Sequence, residues 1–451
     1  MKPETLHRIH FLGIGGIGMS ALARYLNSAK VKITGYDKTP TALTEELEKE
    51  GIPIHFEDKP DIITKDIELI IYTPAIPKDL NELKEAQKLG ISIMKRSQLL
   101  ELITENHSTL AVAGTHGKTT VSTMLAHILY SSRIGCTAFL GGIAKNYNSN
   151  LLLNHSSDCM VAEADEFDRS FLKLHPRLAV ITSTDADHLD VYQNHENLLA
   201  SFAEFVTNVD ENGYLLIKAG ISLPLRETCN IKKFTYSLSP GADFYITDLI
   251  LREGRYQFNL HTPDSIIKGF YPLLPGLFNV ENAIAAASAS YLYGVDTETI
   301  VNSINNFIGV KRRFDHRIIK KDFLFIDDYA HHPEELIACI NSVRNIYPER
   351  KITGIFQPHL YSRTRDFAQS FARSLSLLDK LILLEIYPAR ELPIEGINSQ
   401  MLLDITPVKN KILLQKEAVL TYLKDNKPDI LLTLGAGDID KLVPEIEELF
   451  K

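Results

Sequence analysis

Residues 109–120 of this chain read TLAVAGTHGKTT, and this stretch decides the fold of its central part. The apolar run before Gly114 predicts a buried strand, and residues 121–130 predict a helix. A strand, a glycine-rich turn and a helix that opens with Lys118 and Thr119 are typical of a phosphate-binding loop, because backbone N–H groups, the helix N-terminus and the lysine attract anions. We therefore expect a bound nucleoside triphosphate, with the Thr119 hydroxyl on a Mg²⁺ ion.

The stretch matches the general pattern G-x-x-x-x-G-K-[ST] only in part. Val112 occupies the position of the first glycine of that pattern, and the glycine that is present is Gly114. The alternative interpretation is an ordinary strand-to-helix turn of small residues. The motifs in the rest of the chain favour the phosphate loop.

The bulk composition indicates a multidomain globular protein. The 451 residues suggest about three domains, and 45% hydrophobic and 23% charged residues are ordinary values. A net charge of -9 argues against nucleic-acid binding, which needs a basic face. The cysteines are dispersed, so we expect reduced thiols rather than a metal or redox motif: Cys136, Cys159, Cys229 and Cys339. With no apolar signal or membrane-length run, the expected location is the cytoplasm.

Strand and helix patterns alternate along the whole chain, which predicts an α/β protein. We expect three domains: a Rossmann-like domain over residues 1–106, a central phosphate-loop domain over 107–311, and a second Rossmann-like domain over 312–451. The predicted strands are 8–12, 32–36, 69–73, 159–163, 178–181, 323–326, 352–356, 380–386 and 429–434, and the predicted helices include 19–28, 196–209 and 279–293. Residues 213–275 read as an antiparallel addition to the central domain, with strands at 242–251 and 255–260.

A second glycine loop lies near the start of the chain. Residues 10–18 read HFLGIGGIG, so Gly13, Gly15 and Gly18 satisfy G-x-G-x-x-G between a predicted strand and a predicted helix. Asp37 ends the next predicted strand, where a dinucleotide-binding fold places an acid on a ribose hydroxyl. The pattern requires a pyrophosphate at the helix N-terminus, which either NAD or a UDP-sugar would supply.

Two predicted central strands end in acidic clusters. Residues 159–168 contain Glu163, Asp165, Glu166 and Asp168, and residues 181–190 contain Asp185, Asp187, His188 and Asp190. Acids this close repel unless water or a metal compensates them, and an acid beside a phosphate loop is a natural Mg²⁺ ligand. The alternative is a solvated acidic turn.

The last third of the chain has arginines and histidines at predicted helix starts, in the stretches 311–315 (KRRFD), 325–333 (FIDDYAHHP) and 356–366 (FQPHLYSRTRD). Such groups suit the capture of carboxylate or phosphate, although each alone is also compatible with exposed helix charges. A triphosphate loop, metal-ligating acids and these basic loops together indicate an ATP-driven ligase that activates a carboxylate.

In order along nearly the whole length, these motifs resemble the Mur ligases of bacterial cell-wall synthesis. The resemblance is carried by residues 10–20, 114–120, 163–166, 187–190, 279–283, 312–315, 327–333 and 357–359. It implies a UDP-sugar rather than NAD at the first loop. The implied substrates are UDP-N-acetylmuramate and L-alanine, joined through an acyl phosphate, with ATP and Mg²⁺, or Mn²⁺ in its place, as cofactors.

The resemblance also implies roles for particular residues. UDP-sugar binding falls to Gly13, Gly15, Gly16, Gly18, Asp37, Thr73 and Arg96. ATP binding falls to Gly114, Thr115, His116, Gly117, Lys118, Thr119 and Thr120, with Asn279 and Asn282 at the adenine, Arg313 at the γ-phosphate, and Asp327 with Asp328 at the ribose. Thr119, Glu163 and His188 are the expected metal ligands, and His331, His359, Arg363 and Arg365 the candidates for holding L-alanine. The expected catalytic residues are Lys118, His188, Arg313 and His331.

Several Mur ligases carry a carbamylated lysine after the motif at 187–190, but residues 189–210 contain no lysine, so no carbamate ligand is expected. Three rival interpretations remain: a ligase that attaches a recycled tripeptide to the same sugar, a non-catalytic UDP-sugar sensor with ATP as a structural ligand, and an NAD-dependent dehydrogenase. The expected partners are small molecules only, without nucleic acid or membrane, and the expected assembly is a monomer or a dimer.

Overall fold

The structure is a computed structural model that describes residues 2–167, 169–186, 189–225, 231–389 and 391–451, with the backbone alone at 189 and 190. The contacts within the chain define two compact units. The first unit comprises Met1–Leu249, Phe258–Tyr271 and Glu281–Phe307, and the second comprises Ile250–Gln257, Pro272–Val280 and Ile308–Lys451. None of the helices in these described ranges has the length and apolarity needed to cross a membrane.

The N-terminal part of the first unit is a five-stranded parallel sheet with strand order β3-β2-β1-β4-β5. Its elements are β1 (Arg8–Leu12), α1 (Ile17–Ser28), β2 (Lys32–Tyr36), α2 (Ala42–Lys49), β3 (Ile54–His55), β4 (Leu69–Tyr72), α3 (Asn81–Leu89), β5 (Ser92–Lys95) and α4 (Arg96–Thr104). The three predicted strands and the predicted helix of this part are present, with ends shifted by at most two residues.

Helices cover both faces of this sheet. On β4, Leu69 and Ile71 belong to the core beneath α1 and α4, whereas Ile70 belongs to a separate core with Leu83 of α3. Successive residues of a strand point to opposite faces, so a strand buried on both sides is apolar throughout. The polar exception is His10 in the middle of β1, which is fully buried.

The central part of the first unit is built on a ten-stranded sheet, β15-β14-β13-β12-β11-β10-β6-β9-β7-β8. Its elements are β6 (Ser108–Ala113), α5 (Lys118–Ser131), β7 (Thr137–Ala144), β8 (Ser149–Leu152), β9 (Cys159–Ala164), β10 (Leu178–Ile181), α6 (Leu189–Tyr192), α7 (His195–Thr207), β11 (Tyr214–Lys218), β12 (Lys232–Ser237), β13 (Phe244–Arg252), β14 (Arg255–His261), β15 (Ile266–Phe270), α8 (Leu277–Leu292) and α9 (Thr297–Asn306).

The predicted antiparallel addition begins later than expected. β11 and β12 continue the parallel order of β10, and the antiparallel pairing is found between β14 and β15. The expectation that residues 213–275 form antiparallel strands throughout is therefore wrong for its first part. Short strands with mixed burial look alike in sequence whichever direction their neighbour runs.

The N-terminal and central sheets of the first unit are joined by a buried polar contact. The Asn150 side chain on β8 is fully buried and donates to the Ile17 carbonyl at 2.6 Å and to the Ser20 hydroxyl at 2.8 Å. The Arg24 guanidinium donates to Asn150 and is paired with Glu50. Because buried polar groups are costly without partners, these bonds fix α1 against the central sheet.

The second unit contains a six-stranded sheet of order β16-β17-β21-β18-β19-β20, in which β16 is antiparallel to β17. Its elements are β16 (Asp315–Ile319), β17 (Leu324–Asp328), α10 (Pro333–Ile346), β18 (Ile352–Phe356), α11 (Tyr361–Asp366), α12 (Ala368–Leu375), β19 (Lys380–Leu383), α13 (Ser399–Ile405), β20 (Asn410–Leu413), α14 (Lys416–Asp425), β21 (Ile430–Leu434) and α15 (Leu442–Phe450). Leu432 and Leu431 of β21 face different cores, so this sheet is also covered on both faces. The predicted strand at 380–386 ends at Leu383.

Candidate active site

The phosphate loop between β6 and α5 has the conformation that its glycines require. Gly114 has φ +139° and Gly117 has φ +82°, in the region that disfavours other residues. A Cβ at Gly114 would overlap the Thr182 side chain, and one at Gly117 would lie 2.9 Å from Asn282 Oδ1. A partial match to the general motif is therefore sufficient for this loop conformation, because both loop positions with positive φ are glycine.

Hydroxyl groups at the end of the neighbouring strand β10 hold this loop. Thr182 donates to the His116 carbonyl at 2.5 Å, and the Ser183 hydroxyl accepts the His116 N–H at 2.6 Å. Thr115 Oγ1 lies 3.0 Å from Ser183 Oγ and accepts the Asp185 N–H at 3.1 Å. The sequence analysis missed the support from Thr182 and Ser183, although the carboxyl ends of adjacent parallel strands always meet at one edge.

Lys118 is held inside the loop by an acid. Its ammonium donates to the Gly114 carbonyl at 2.6 Å and lies 2.7 Å from the carboxylate of Glu166, which is fully buried. Burial alone would lower the pKa of Lys118, but the charges of Glu166, Asp165 and Glu163 raise it above its usual value. Burial raises the pKa of Glu166 to about 7, against the opposing effect of Lys118. The acidic cluster is thus compensated in part by a lysine, which the sequence analysis did not foresee.

Thr119 and Glu163 form an oxygen pair beside the loop. The Thr119 hydroxyl lies 3.2 Å from Glu163 Oε1, and a side chain at Gly141 would overlap the Glu163 carboxylate. A hydroxyl and a carboxylate next to a phosphate loop are the donors that Mg²⁺ prefers. The residues present therefore fit the expected magnesium ion.

Part of the expected metal site lies outside the described residues, namely Asp168, Asp187 and His188, and the side chain of Asp190 is likewise not described. The role expected for His188 stays a prediction. Of the same cluster, Asp185 is described, and its carboxylate lies 3.7 Å from the His116 ring.

The first glycine loop is shaped by contacts with the next strands. Gly13 has φ +85°, and a Cβ there would lie 2.5 Å from the Thr73 methyl group. The Asp37 carboxylate accepts the Gly15 N–H at 2.8 Å. Gly16 caps α1 with its backbone, so the helix N-terminus opens onto the loop. Asp37 thus already orders the loop that the sequence assigns to the UDP-sugar.

Arg96 lies between the first glycine loop and the acidic end of β9. A Cβ at Gly18 would lie 2.9 Å from its guanidinium, and Arg96 also lines a small cleft with Glu163 and Asp165. The structure therefore brings together one residue expected at the sugar and one expected at the metal. The spacing of these residues in the sequence gives no sign of this meeting.

The residues expected at the adenine, Asn279 and Asn282, lie three positions apart on α8. Asn282 lies beside Gly117, and the Asn279 amide donates to the Pro275 carbonyl at 2.8 Å. Thr115 and Thr120 are both buried at the phosphate loop.

Two acids of the second unit, the buried Asp327 and the partly buried Asp328, end β17. The Asp327 carboxylate accepts the Thr433 hydroxyl at 2.7 Å and lies 3.6 Å from the Arg312 guanidinium, and burial raises its pKa to about 6. Asp328 accepts the backbone N–H groups of Phe314 and Ala330 at 2.6 and 2.7 Å, and burial raises its pKa to about 7. Both carboxylates order the loop around them, and their contact with a ribose stays a prediction.

Arg312 and Arg313 flank one aromatic ring. Their guanidinium carbons lie 5.0 and 4.9 Å from the centre of the Tyr329 ring. Arg312 also donates to the Gly435 carbonyl at 2.6 Å. Arg312 is therefore a structural residue of the second unit, which the sequence analysis did not separate from Arg313.

His331 and His359 form an aromatic pair in the second unit, with ring centres 6.0 Å apart. The His331 Nδ1 lies 3.0 Å from the Tyr329 carbonyl, which can only accept, so the proton sits on Nδ1 and Nε2 carries a lone pair. Burial and nearby positive charge, including Arg363, lower the pKa of both histidines to about 4. Arg365 instead pairs with Asp366 at 2.7 Å and is about half exposed.

Family models match three consecutive parts of the chain. The Mur ligase family catalytic domain matches residues 8–108, the Mur ligase middle domain residues 112–290, and the Mur ligase glutamate ligase domain residues 312–437. Together with full-length relatives at 44–48% identity, they show that the chain belongs to the Mur ligase family. The family resemblance seen in the motifs is confirmed.

Several curated relatives that match over nearly their full length carry one name. The UDP-N-acetylmuramate–L-alanine ligase of Porphyromonas gingivalis is 48% identical over 450 residues, which is 98% of this chain and 99% of that protein. The crystal structure of the UDP-N-acetylmuramate–alanine ligase of Thermotoga maritima has a TM-score of 0.83 and 27% identity, over 98% and 99% of the two chains. The expected three-domain α/β fold is thereby confirmed.

A ligase of a different branch shares this fold. A murein peptide ligase from Psychrobacter arcticus has a TM-score of 0.72 and covers 98% of both chains, at 20% identity. At that identity the similarity shows the fold alone.

Proposed function

We propose that this chain joins L-alanine to the lactyl carboxylate of UDP-N-acetylmuramate, with conversion of ATP to ADP and phosphate. The observation that carries the proposal is the position of Arg96, which lies against Gly18 of the first loop and lines a cleft with Glu163 and Asp165 near the phosphate loop. A sugar bound at the first loop would thus extend its carboxylate towards the triphosphate. The full-length relatives named for this reaction support the same assignment.

The first step makes the carboxylate reactive. A carboxylate oxygen attacks the γ-phosphorus of ATP. The bond between the γ-phosphorus and the oxygen that bridges the β- and γ-phosphates breaks, so that an acyl phosphate forms and ADP leaves. Lys118 holds the phosphates and offsets the negative charge that gathers as two anions meet. Arg313 supplies a further positive charge at the γ-phosphate. The loop amides from Gly114 to Gly117 orient the chain of phosphates.

Thr119 and Glu163 are the residues that would hold one magnesium ion, and His188 would hold a second near the acyl phosphate. When bound there, the two ions would neutralise phosphate charge. The separation of 3.2 Å between the Thr119 and Glu163 oxygens supports two of these three assignments.

The second step forms the amide. The neutral amine of L-alanine attacks the acyl carbon, and phosphate leaves with the electrons of the acyl-oxygen bond. We assign His331 Nε2 as the acceptor of the amine proton, because its Nδ1 is engaged with the Tyr329 carbonyl, which leaves the lone pair on Nε2. His359, Arg363 and Arg365 are assigned to the amino acid, and the charge of Arg363 acts on both His331 and His359.

We assign the division of labour by region: residues 1–106 bind the UDP-sugar, 107–311 bind ATP, and 312–451 bind the amino acid. The reaction takes place in the cytoplasm, where ATP is available, and the enzyme acts on small molecules as a monomer or a dimer.

The test is release of phosphate from ATP with UDP-N-acetylmuramate and Mg²⁺, to which L-alanine or the recycled tripeptide is added separately. We expect release that depends on L-alanine, and a product heavier by one alanyl residue in mass spectrometry. Release with the tripeptide alone would move the chain to the recycling branch. If no phosphate is released with either L-alanine or the tripeptide, the result would favour the sensor interpretation.

A further inference from the structure

Three side chains of the N-terminal sheet region lie close together. His10 lies on β1, His55 on β3 and Glu82 in the first turn of α3. One ligand atom from each of them lies within 4.8 Å of those of the other two. They come from three elements that the parallel sheet and its covering helix bring together, so their distance in sequence hides them.

The carboxylate of Glu82 lies between the two imidazoles. His10 Nε2 is 3.1 Å from Glu82 Oε2, and His55 Nε2 is 2.8 Å from Glu82 Oε1. The backbone N–H of Lys59 donates to the same Oε1 at 2.9 Å. Both histidines therefore direct the same ring nitrogen towards one carboxylate.

The far side of the His10 ring is also held. Its Nδ1 lies 2.8 Å from the Thr34 hydroxyl, which can donate or accept a proton. Histidines that bind metals use one nitrogen for the ion and give the other to a hydrogen bond that orients the ring. His10 has this arrangement, and the two imidazole rings lie nearly parallel, with centres 5.7 Å apart.

The cluster buries a negative charge with little compensation. Glu82 and His10 are fully buried and His55 is 17% exposed. Among the described residues, the ion pairs of Glu82 involve histidines and neither lysine nor arginine. A bound cation would supply the positive charge that this buried carboxylate does not receive from lysine or arginine among the described residues.

We propose that His10, His55 and Glu82 bind a divalent transition metal ion of the zinc type, separate from the magnesium of the reaction. Two imidazoles and one carboxylate are a recurrent ligand set for Zn²⁺, and imidazole nitrogens select Zn²⁺, Co²⁺ or Ni²⁺ over Mg²⁺. Metal–ligand bonds of about 2.0–2.2 Å place tetrahedral ligand atoms about 3.4 Å apart, so ligand atoms that lie within 4.8 Å of one another must adjust their positions to hold the ion. The ion joins β1, β3 and α3 and stabilises the sheet that carries the first loop.

The test uses the tag-free, full-length chain freed of metal with a chelator and titrated with Co²⁺, followed by visible absorption and calorimetry. We expect one equivalent of Co²⁺ with the d–d bands of a nitrogen-containing site. His55→Ala and Glu82→Gln should both lose this equivalent, whereas Glu163→Gln, which alters the oxygen site, should retain it. Zn²⁺ should raise the melting temperature of the original chain but not that of His55→Ala.

Because Glu82 is fully buried, His55→Ala is the decisive variant, and its far-ultraviolet circular dichroism checks that it is folded. Equal Co²⁺ binding by the original chain and a folded His55→Ala would overturn the proposal. Loss of the signal in Glu163→Gln alone would also overturn it, since the ion would then belong to the oxygen site. Absence of any Co²⁺ binding at micromolar concentration would show that the cluster is only a hydrogen-bonded core.

Discussion

The two glycine loops of the first unit share one design and differ in their charged residues. Each connects a parallel strand to a helix and begins with a glycine at positive φ, Gly13 in one and Gly114 in the other. The first loop meets a carboxylate, because Asp37 accepts the Gly15 N–H. The second loop contains a lysine, and Lys118 occupies the first turn of α5.

This difference in charged residues predicts that the first loop serves substrate binding and the second loop serves the chemical step. A loop with amides and a helix N-terminus, but no cation of its own, stabilises a pyrophosphate equally before and during the reaction. A loop with Lys118 beside an oxygen pair places charge where it develops in the transition state. Changes at the first loop should therefore affect substrate affinity, and changes at the second should affect turnover.

The largest effect is expected for Lys118→Ala. Loss of the ammonium should lower kcat by about 10³-fold, because a charge that stabilises the transition state is removed. UDP-N-acetylmuramate should still bind, as measured by calorimetry. Lys88→Ala, at an exposed lysine on α3, is the matched control. Turnover near that of the unaltered chain in Lys118→Ala would contradict the assignment of the loop.

The next effect extends the comparison to the second unit. Arg313→Ala should lower kcat by about 10²-fold with little change in ATP affinity, because its contact is realised in the transition state. Steady-state kinetics with varied ATP provide the measurement, with Arg373→Ala on the exposed side of α12 as control. A pure loss of ATP affinity would show that Arg313 acts in ground-state binding.

A smaller effect is expected at the first loop. Asp37→Ala removes the acceptor of the Gly15 N–H and should raise KM for UDP-N-acetylmuramate by about tenfold, or about 1.4 kcal/mol, with kcat nearly unchanged. Asp61→Ala, at an exposed acid in the same region, is the control. A fall in kcat without a change in KM would contradict the assignment of substrate binding to the first loop and of turnover to the second.

The last prediction concerns stability rather than turnover, in the second unit, which contains His331 and His359 with lowered pKa values. A histidine with a lowered folded pKa favours the neutral native form, so its contribution to stability is complete above pH 6.5 and is lost towards pH 4. Each can contribute at most about 1.4 kcal/mol per pH unit in this window.

Melting temperatures between pH 4 and pH 7.5 measure this slope. The original chain should lose several degrees as the pH falls from 6.5 to 4. His359→Gln should lose less, whereas His7→Gln, at an exposed histidine, should follow the original chain. An identical pH dependence in His359→Gln would mean that this ring is not held neutral by its surroundings.

The sequence predicted the fold well because its signals are local. Apolar runs of four to six residues ended by glycine loops are sufficient for β1, β6 and their helices. The direction of a strand's neighbour is not a local property, which is why β11 and β12 were assigned to the wrong kind of pairing. The hairpin of β7 and β8 and the short strand β3 carried no comparable signal.

In the candidate site too, residues within local motifs could be predicted from the sequence, whereas contacts between distant residues could not. Gly13, Gly114, Lys118 and Glu163 stand in motifs and could be found by inspection. Glu166 stood in a motif too, but its ion pair with Lys118 depends on how the end of β9 faces α5. The meeting of Arg96 with Glu163 and the cluster around Glu82 join residues far apart in sequence, and only the packing of the sheets reveals them.

The Glu166 carboxylate and the phosphates of the nucleotide compete for the same partner, the ammonium group of Lys118. A phosphate group must displace a buried carboxylate to reach the lysine, so simple anions such as inorganic phosphate gain too little to bind firmly. A triphosphate makes more contacts with the loop, and these can offset the free-energy cost of displacing Glu166 from Lys118. Once its last phosphoryl group has been transferred, Glu166 can recapture Lys118 and hasten the departure of ADP.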